Sequence, residues 1–196
     1  HNTYIYKIYH SDEYEFPKRY ISQRAIEQKK YSRLQYLDCR GNYQVFNLKH
    51  LADTLLVLRC DWKECAINQN SISKLKKIKI LTCCENPKIF DVNHFSDTLE
   101  ELKSSRNEID QNGISKLKKL QVLECYATEK IKDVNHLKDT LKILNCSGHD
   151  CGIDQAGISQ LKKLKNLDCK YNKKIYDVNH LAETLEILDC RNCKID

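Results

Sequence analysis

A strand-like motif, Leu-x-x-Leu-x-Cys, returns eight times along this chain, and no other feature constrains its fold as tightly. The cysteine position falls at Cys39, Cys60, Cys83, Ser104, Cys125, Cys146, Cys169 and Cys190, at intervals of 21, 23, 21, 21, 21, 23 and 21 residues. A fixed interval of this length marks a solenoid, in which each unit buries its apolar side only against its neighbours. A second period lies over the first. Asp-Val-Asn-His occurs at 91–94, 133–136 and 177–180, with a degenerate copy ending at His50, so two coil types alternate. The other type reads Ile-x-Gln-x-x-Ile-Ser-x-Leu-Lys-Lys at 109–119 and 153–163, with a variant at 67–77.

Written out, Leu99-x-x-Leu102-x-Ser104-x-x-Asn107-x-Ile109 followed by Ile114-x-x-Leu117-x-x-Leu120 resembles the leucine-rich repeat pattern in its short class, and the likeness covers residues 34–196. The resemblance implies an α/β solenoid: a horseshoe with a parallel concave sheet of about eight strands and short helical or 3₁₀ turns on the convex side. Two departures stand out. Cysteine replaces the third leucine in seven of the eight units, and the asparagine position is clearly filled only in some, at Asn42, Asn86, Asn107 and Asn172. The paired coils are also similar to repeat proteins of amoeba-infecting giant DNA viruses.

Residues 1–33 lack the motif and carry Tyr4, Tyr6, Tyr9, Tyr14, Tyr20 and Tyr31, with Tyr36 leading into the first strand and a helix-like stretch at 21–30. They read as an aromatic-rich cap over the first coil, and 34–196 as one continuous repeat domain. The sequence stops midway through a coil at 193–196, so the expectation is further sequence beyond it or a homodimer packed through that uncapped end. It begins at His1 and contains no Met, so some N-terminal residues are expected to have been removed, any targeting segment with them. With 31% charged residues, no apolar run approaches the ~18 residues of a membrane span.

Eleven cysteines in a small secreted chain would suggest a disulfide framework. Here seven of them share one inward strand position, where sulfur serves as a compact hydrophobe, and free thiols in a reducing, intracellular setting are expected, the cytoplasm of an infected host cell included. Cys60-x₄-Cys65, Cys146-x₄-Cys151 and Cys190-x-x-Cys193 have metal-site spacing, but each joins an inward position to a loop and no second pair lies in the same coil, so neither metal nor cofactor is expected. His50, His94, His136 and His180 recur two strands apart, about 10 Å, too far for one ion to bridge. Asp91, Asp133 and Asp177 are expected to cap the short turns that the following His-Leu step packs on the core.

Lysines at 74, 76, 77, 116, 118, 119, 162, 163 and 165 line up as a lateral ridge and supply much of the net charge of +6. Such a ridge could meet phosphate, which makes a binder of nucleic acid or an anionic surface the alternative function. Acidic residues nearby, Asp97, Glu100, Asp139, Glu183 and Glu186, favour a solvated edge instead. No nucleophile elbow, phosphate-cradling loop or metalloprotease motif is present, so no enzyme is expected.

Strand alternation puts the third, fifth and seventh motif positions on the concave face. These columns change identity at almost every step while the inward leucines do not. The candidate partner-binding residues are Tyr36, Asp38, Arg40, Arg59, Lys103, Glu124, Tyr126, Asp168, Lys170, Asp189 and Arg191, with Trp62 counted among them. An apolar stripe flanked by mixed charge suits a protein partner, although the stripe also has the composition of aliphatic pairs that pack across a sheet. The expected function is a non-enzymatic protein-interaction scaffold.

Overall fold

The structure, a computed structural model, describes residues 21–195; the tyrosines from Tyr4 to Tyr20 lie outside the described residues. The chain is an α/β solenoid. Its strands are β1 (Tyr36–Asp38), β2 (Val57–Arg59), β3 (Ile80–Thr82), β4 (Glu101–Lys103), β5 (Val122–Glu124), β6 (Ile143–Asn145), β7 (Asn166–Asp168) and β8 (Ile187–Asp189), forming one parallel sheet in sequence order. The register carries no stagger: Leu102 pairs with Leu81 on one side and Leu123 on the other. The motif explains this directly, since its leucines and its cysteine column turn into a core where Leu34, Leu37, Cys39 and their counterparts as far as Leu167 and Cys169 are almost wholly buried. Among the described residues β8 is paired only with β7, and Ile187 and Leu188 remain exposed.

Behind the sheet, α1 (Gln23–Ile26), α2 (Gln69–Ile72), α3 (Gln111–Ile114) and α4 (Gln155–Ile158) alternate with 3₁₀ turns at Lys49–Leu51, Asn93–Phe95, Asn135–Leu137 and Asn179–Leu181. Each helix is one turn long and is started by a side chain that accepts the amide three residues on: Ser22, Asn68, Asp110 and Asp154. The helix-like stretch at 21–30 is correspondingly shorter than expected. α1 ends at Ile26, Gln28 turns extended with ψ 143°, and a separate 3₁₀ turn spans Lys29–Tyr31. Only Ile26 of α1 is buried and residues 27–30 are exposed, so no apolar stripe carries the helix further.

Residues 22–26 already behave as the convex half of a coil, ahead of the boundary at Leu34 drawn from the strand motif. Gln23 accepts the amides of Phe46 and Asn47 through Oε1 and donates Nε2 to the Asn47 carbonyl at 2.8 Å. Gln69 makes the same three bonds to Phe90 and Asp91, Gln111 to Lys132 and Asp133, and Gln155 to Tyr176 and Asp177. The glutamine of the Ile-x-Gln motif is thus a clamp on the coil that follows. Asn93 and Asn135 return the grip: Asn93 accepts the Lys116 amide and donates to the Asn112 carbonyl, and Asn135 does so with Gln160 and Ala156.

The aspartates of the Asp-Val-Asn-His coils act one residue earlier than a formal cap. Asp91, Asp133 and Asp177 accept the amides of Asn93, Asn135 and Asn179 at 2.8, 2.6 and 2.7 Å. The intervening valine sits at the cap position and spends its own amide on the next coil, as Val92 does on the Gly113 carbonyl. The following histidines reach back. Nε2 of His94, His136 and His180 lies 3.1, 3.2 and 3.0 Å from the carbonyls of Ile72, Ile114 and Ile158, the last residues of α2, α3 and α4. His50 faces the Ile26 carbonyl without reaching hydrogen-bond geometry.

A second polar ladder runs through the loops. Asn86 donates to the Cys60 and Ile67 carbonyls, Asn107 to Cys83, Thr128 to Ser104, and Asn172 to Cys146 and Ile153. In the two longer coils Cys65 and Cys151 take this place, their thiols directed at the carbonyls of Cys39 and Cys125. They lie in the loops, as their spacing suggested, but as fully buried rungs of the ladder.

Candidate interaction surface

The open face of the sheet, the face expected to be concave, is built from the first and third residues of each strand and the residue two beyond. Most of it is half-buried: Tyr36, Val57, Ile80 and Val122 form the apolar row, ending in the more exposed Ile143 and Ile187. Cross-strand pairing places Tyr36 beside Val57, Val57 beside Ile80, and Val122 beside Ile143. The expected stripe is therefore interrupted at Glu101 and Asn166 and packs partly upon itself.

The flanking charges are arranged in pairs. Arg40 forks onto Asp38 through Nε and Nη2, at 3.0 and 2.9 Å. Lys103 reaches Glu124 at 2.7 Å and Glu101 at 3.6 Å. Burial lowers the Lys103 pKa, but those two carboxylates outweigh it and the net displacement is upward. Lys170 bridges Asp168 and Asp189 at 3.1 and 3.5 Å, and Arg191 forks onto Asp189. The Arg191 hydrogen bonds bring the Asp189 carboxyl down to about 2. Asp61 is held differently, accepting from Thr82 Oγ1 at 2.9 Å and from the Cys84 amide at 2.7 Å. Burial pushes its carboxyl upward against those two bonds.

This places the predicted residues in two groups. Arg40, Arg59, Lys103, Glu124, Tyr126, Lys170 and Arg191 reach solvent on the open face or its margin. Asp38 does not: it is 4% exposed, with both carboxylate oxygens turned to Arg40, so it serves as the support of that side chain. Cys84, on the same face, has its thiol pushed up to about 11 chiefly by burial.

One feature of this surface has no signature in the motif. The residue leaving each strand's turn is left-handed in all eight coils, at Gly41, Trp62, Glu85, Arg106, Ala127, Gly148, Tyr171 and Asn192, with φ between 50° and 100°. Glycine fits such a backbone freely, whereas other residues cost about 1–2 kcal/mol. Large side chains nevertheless occupy it. Trp62 lies over Gly41, where an added Cβ would come within 3.0 Å of the indole, and the Arg40 guanidinium stands 5.8 Å from the ring centre. Arg106 lies 4.9 Å from the Tyr126 ring and donates to its hydroxyl, and His149 faces Tyr171 at 5.3 Å. The margin of the sheet thus carries aromatic and cationic groups at Trp62, Arg106, Tyr126, His149 and Tyr171, interspersed with Glu85, which pairs with Arg106 at 3.5 Å, and with small residues. Gly41, Gly148 and Asn192, eight positions into their units, were the only sequence hint of it.

Grooves lie elsewhere. One of about 720 Å³ is lined by Phe90, Glu108, Glu129 and Lys132, and another of about 470 Å³ by Lys116, Lys118, His136 and Asp139. Of the lysine ridge, Lys76 pairs with Asp53, Lys118 with Asp97 and Lys165 with Glu186. Among the described residues no cluster of histidine, cysteine, aspartate and glutamate could hold a metal ion, and no helix is long and apolar enough to cross a membrane. No protein-family model matches the chain, and no curated protein matches it either.

Proposed function

We propose that this chain is a non-enzymatic protein-interaction scaffold of the leucine-rich repeat kind that receives a protein partner on the open face of its sheet and the aromatic margin beside it. The observation that carries this reading is the margin itself. Trp62, Arg106 and Tyr171 occupy left-handed positions where the backbone favours glycine, so the solenoid gives up stability to display large groups. Tryptophan, tyrosine and arginine are the residues that dominate protein interfaces. The charges of the face are nearly balanced: Asp38, Asp61, Glu101, Glu124, Asp168 and Asp189 stand against Arg40, Arg59, Lys103, Lys170 and Arg191. That balance suits a mixed protein surface better than a phosphate backbone. The buried, reduced thiols accord with an intracellular setting, and the similarity of the paired coils to giant-virus repeat proteins suggests the cytoplasm of an infected host.

The second reading, a nucleic-acid or anionic-surface binder, is favoured by the lysines of the ridge that make no ion pair among the described residues, such as Lys74, Lys77 and Lys119. Salt separates the two. Phosphate contacts lose affinity by orders of magnitude between about 50 and 200 mM salt, while an apolar-centred protein interface does not. The proposed scaffold retains its partner across that range and loses it when Glu124 and Tyr126 are both changed to Ala.

A further inference from the structure

Arg59 is the exception to the pairing of charges on the open face. It is the third residue of β2, in register between Asp38 of β1 and Thr82 of β3. Both carboxylates in its neighbourhood are engaged elsewhere: Asp38 by the fork of Arg40, and Asp61 by the Thr82 hydroxyl and the Cys84 amide. Arg59 makes no ion pair among the described residues. Among the described residues its buried Nε has no hydrogen-bond partner, and the centre of the Tyr36 ring lies 5.9 Å from the guanidinium carbon. Lys103, Lys170, Arg191 and Arg40 on the same face each hold a carboxylate.

A half-buried guanidinium with its donors unspent, steadied by an aromatic ring, is a receptor for a carboxylate. Trp62, three residues further along the same coil and 41% exposed, lies over Gly41 of the preceding coil and offers an apolar platform on the same margin. We infer that Arg59 is the anchor of a subsite that takes an aspartate or glutamate side chain of the protein partner, with Tyr36 and Trp62 contacting the apolar residues next to it. This rests on the reading of the open face as a protein-binding surface and specifies the chemistry of what binds there.

The test selects peptides from a phage-displayed random dodecapeptide library on the full chain and on Arg59→Gln, with Arg59→Lys as a second variant that keeps the charge. Circular-dichroism melting establishes that each variant folds. Sequences selected by the unaltered chain are expected to be enriched in Asp and Glu, and the enrichment to disappear on Arg59→Gln. The strongest peptide, synthesised, is expected to lose about 10- to 100-fold in affinity on Arg59→Gln and less on Arg59→Lys. Changing its acidic residue to the amide weakens binding to the unaltered chain by a similar factor and leaves binding to Arg59→Gln unchanged. Enrichment without acidic residues, or losses that simply add, would overturn the carboxylate subsite while leaving the protein-binding face intact. Selection of no peptide above background by the unaltered chain would overturn both.

Discussion

The thiol of Cys65 donates to the carbonyl of Cys39 across 3.2 Å, in the place where, one coil later, Asn86 donates to the carbonyl of Cys60. A cysteine here is a rung of the ladder that satisfies the turn's backbone acceptors. The hydrogen bond to Cys65, followed by burial, holds the Cys39 thiol well above its ordinary range, and burial does the same for Cys60 and Cys83. The thiols of Cys39, Cys60 and Cys83 are therefore poor nucleophiles. The side-chain hydrogen bond from Cys39 draws the Cys65 thiol the other way, and those from Cys125 and Cys146 bring Cys151 down to about 4, so it is burial that shields these two from reagents.

Native thiol reactivity is therefore expected to be confined to Cys84, Cys190 and Cys193, which are partly exposed, while the other eight react only after denaturation. Counting thiols with a chromogenic disulfide before and after guanidinium checks this. Recovery of markedly fewer than eleven thiols in the denatured, unreduced protein would show that bridges had formed.

Removing a central rung should be costly. Asn86 is fully buried, and Asn86→Ala leaves the Cys60 and Ile67 carbonyls without their side-chain donor, at about 1–3 kcal/mol. Leu102→Ala opens a cavity between two coils and should cost about 2–5 kcal/mol, whereas Lys118→Ala removes only an exposed pair with Asp97 and should cost less than about 0.5 kcal/mol. Urea unfolding curves give all three values.

Gly113 tests the fit of helix against coil. A Cβ there would lie 2.2 Å from the Phe90 carbonyl oxygen, so Gly113→Ala should destabilise by about 1–3 kcal/mol despite the better helix propensity of alanine. At the matching place in α2, Ser71 is accommodated because its hydroxyl donates to the Phe46 carbonyl at 2.6 Å. A melting temperature raised by Gly113→Ala would mean that the coils are spaced more loosely than described.

Much of this was legible in the sequence and some was not. The leucine and cysteine columns disclosed the strands because burial on every coil imposes the same residue at the same place. The glutamine clamps were visible as a recurring letter but not as a function, because their partners lie about a coil later in the chain, at Phe90 and Asp91 for Gln69. Cys65 and Cys151 were placed in loops but not recognised as buried rungs, because the extra residues in their coils hide their equivalence to Asn107. The left-handed row was hidden for another reason: backbone strain at Trp62 or Tyr171 leaves no required residue type behind it.

Stability should also depend on pH through the histidine ladder. Burial, partly offset by a facing carbonyl, lowers the pKa of His50, His94 and His136 from 6.5. The unfolded chain then binds the more protons, so the full contribution is present above about pH 6.5 and is lost as pH falls below it. Melting between pH 7.5 and 5.5 should show a decline, shallower in His94→Gln. A stability that stays level or rises as the pH is lowered would contradict the environment described for these rings.

The most direct measurement is photo-crosslinking from benzoylphenylalanine placed at position 124 on the open face and, separately, at position 118 on the lysine ridge, in a cell lysate that contains both proteins and nucleic acid. The expected result is a discrete protein adduct from position 124 that resists nuclease, with little from position 118. Adducts arising only from position 118 and destroyed by nuclease would contradict a protein-binding open face and identify the ridge as a nucleic-acid surface.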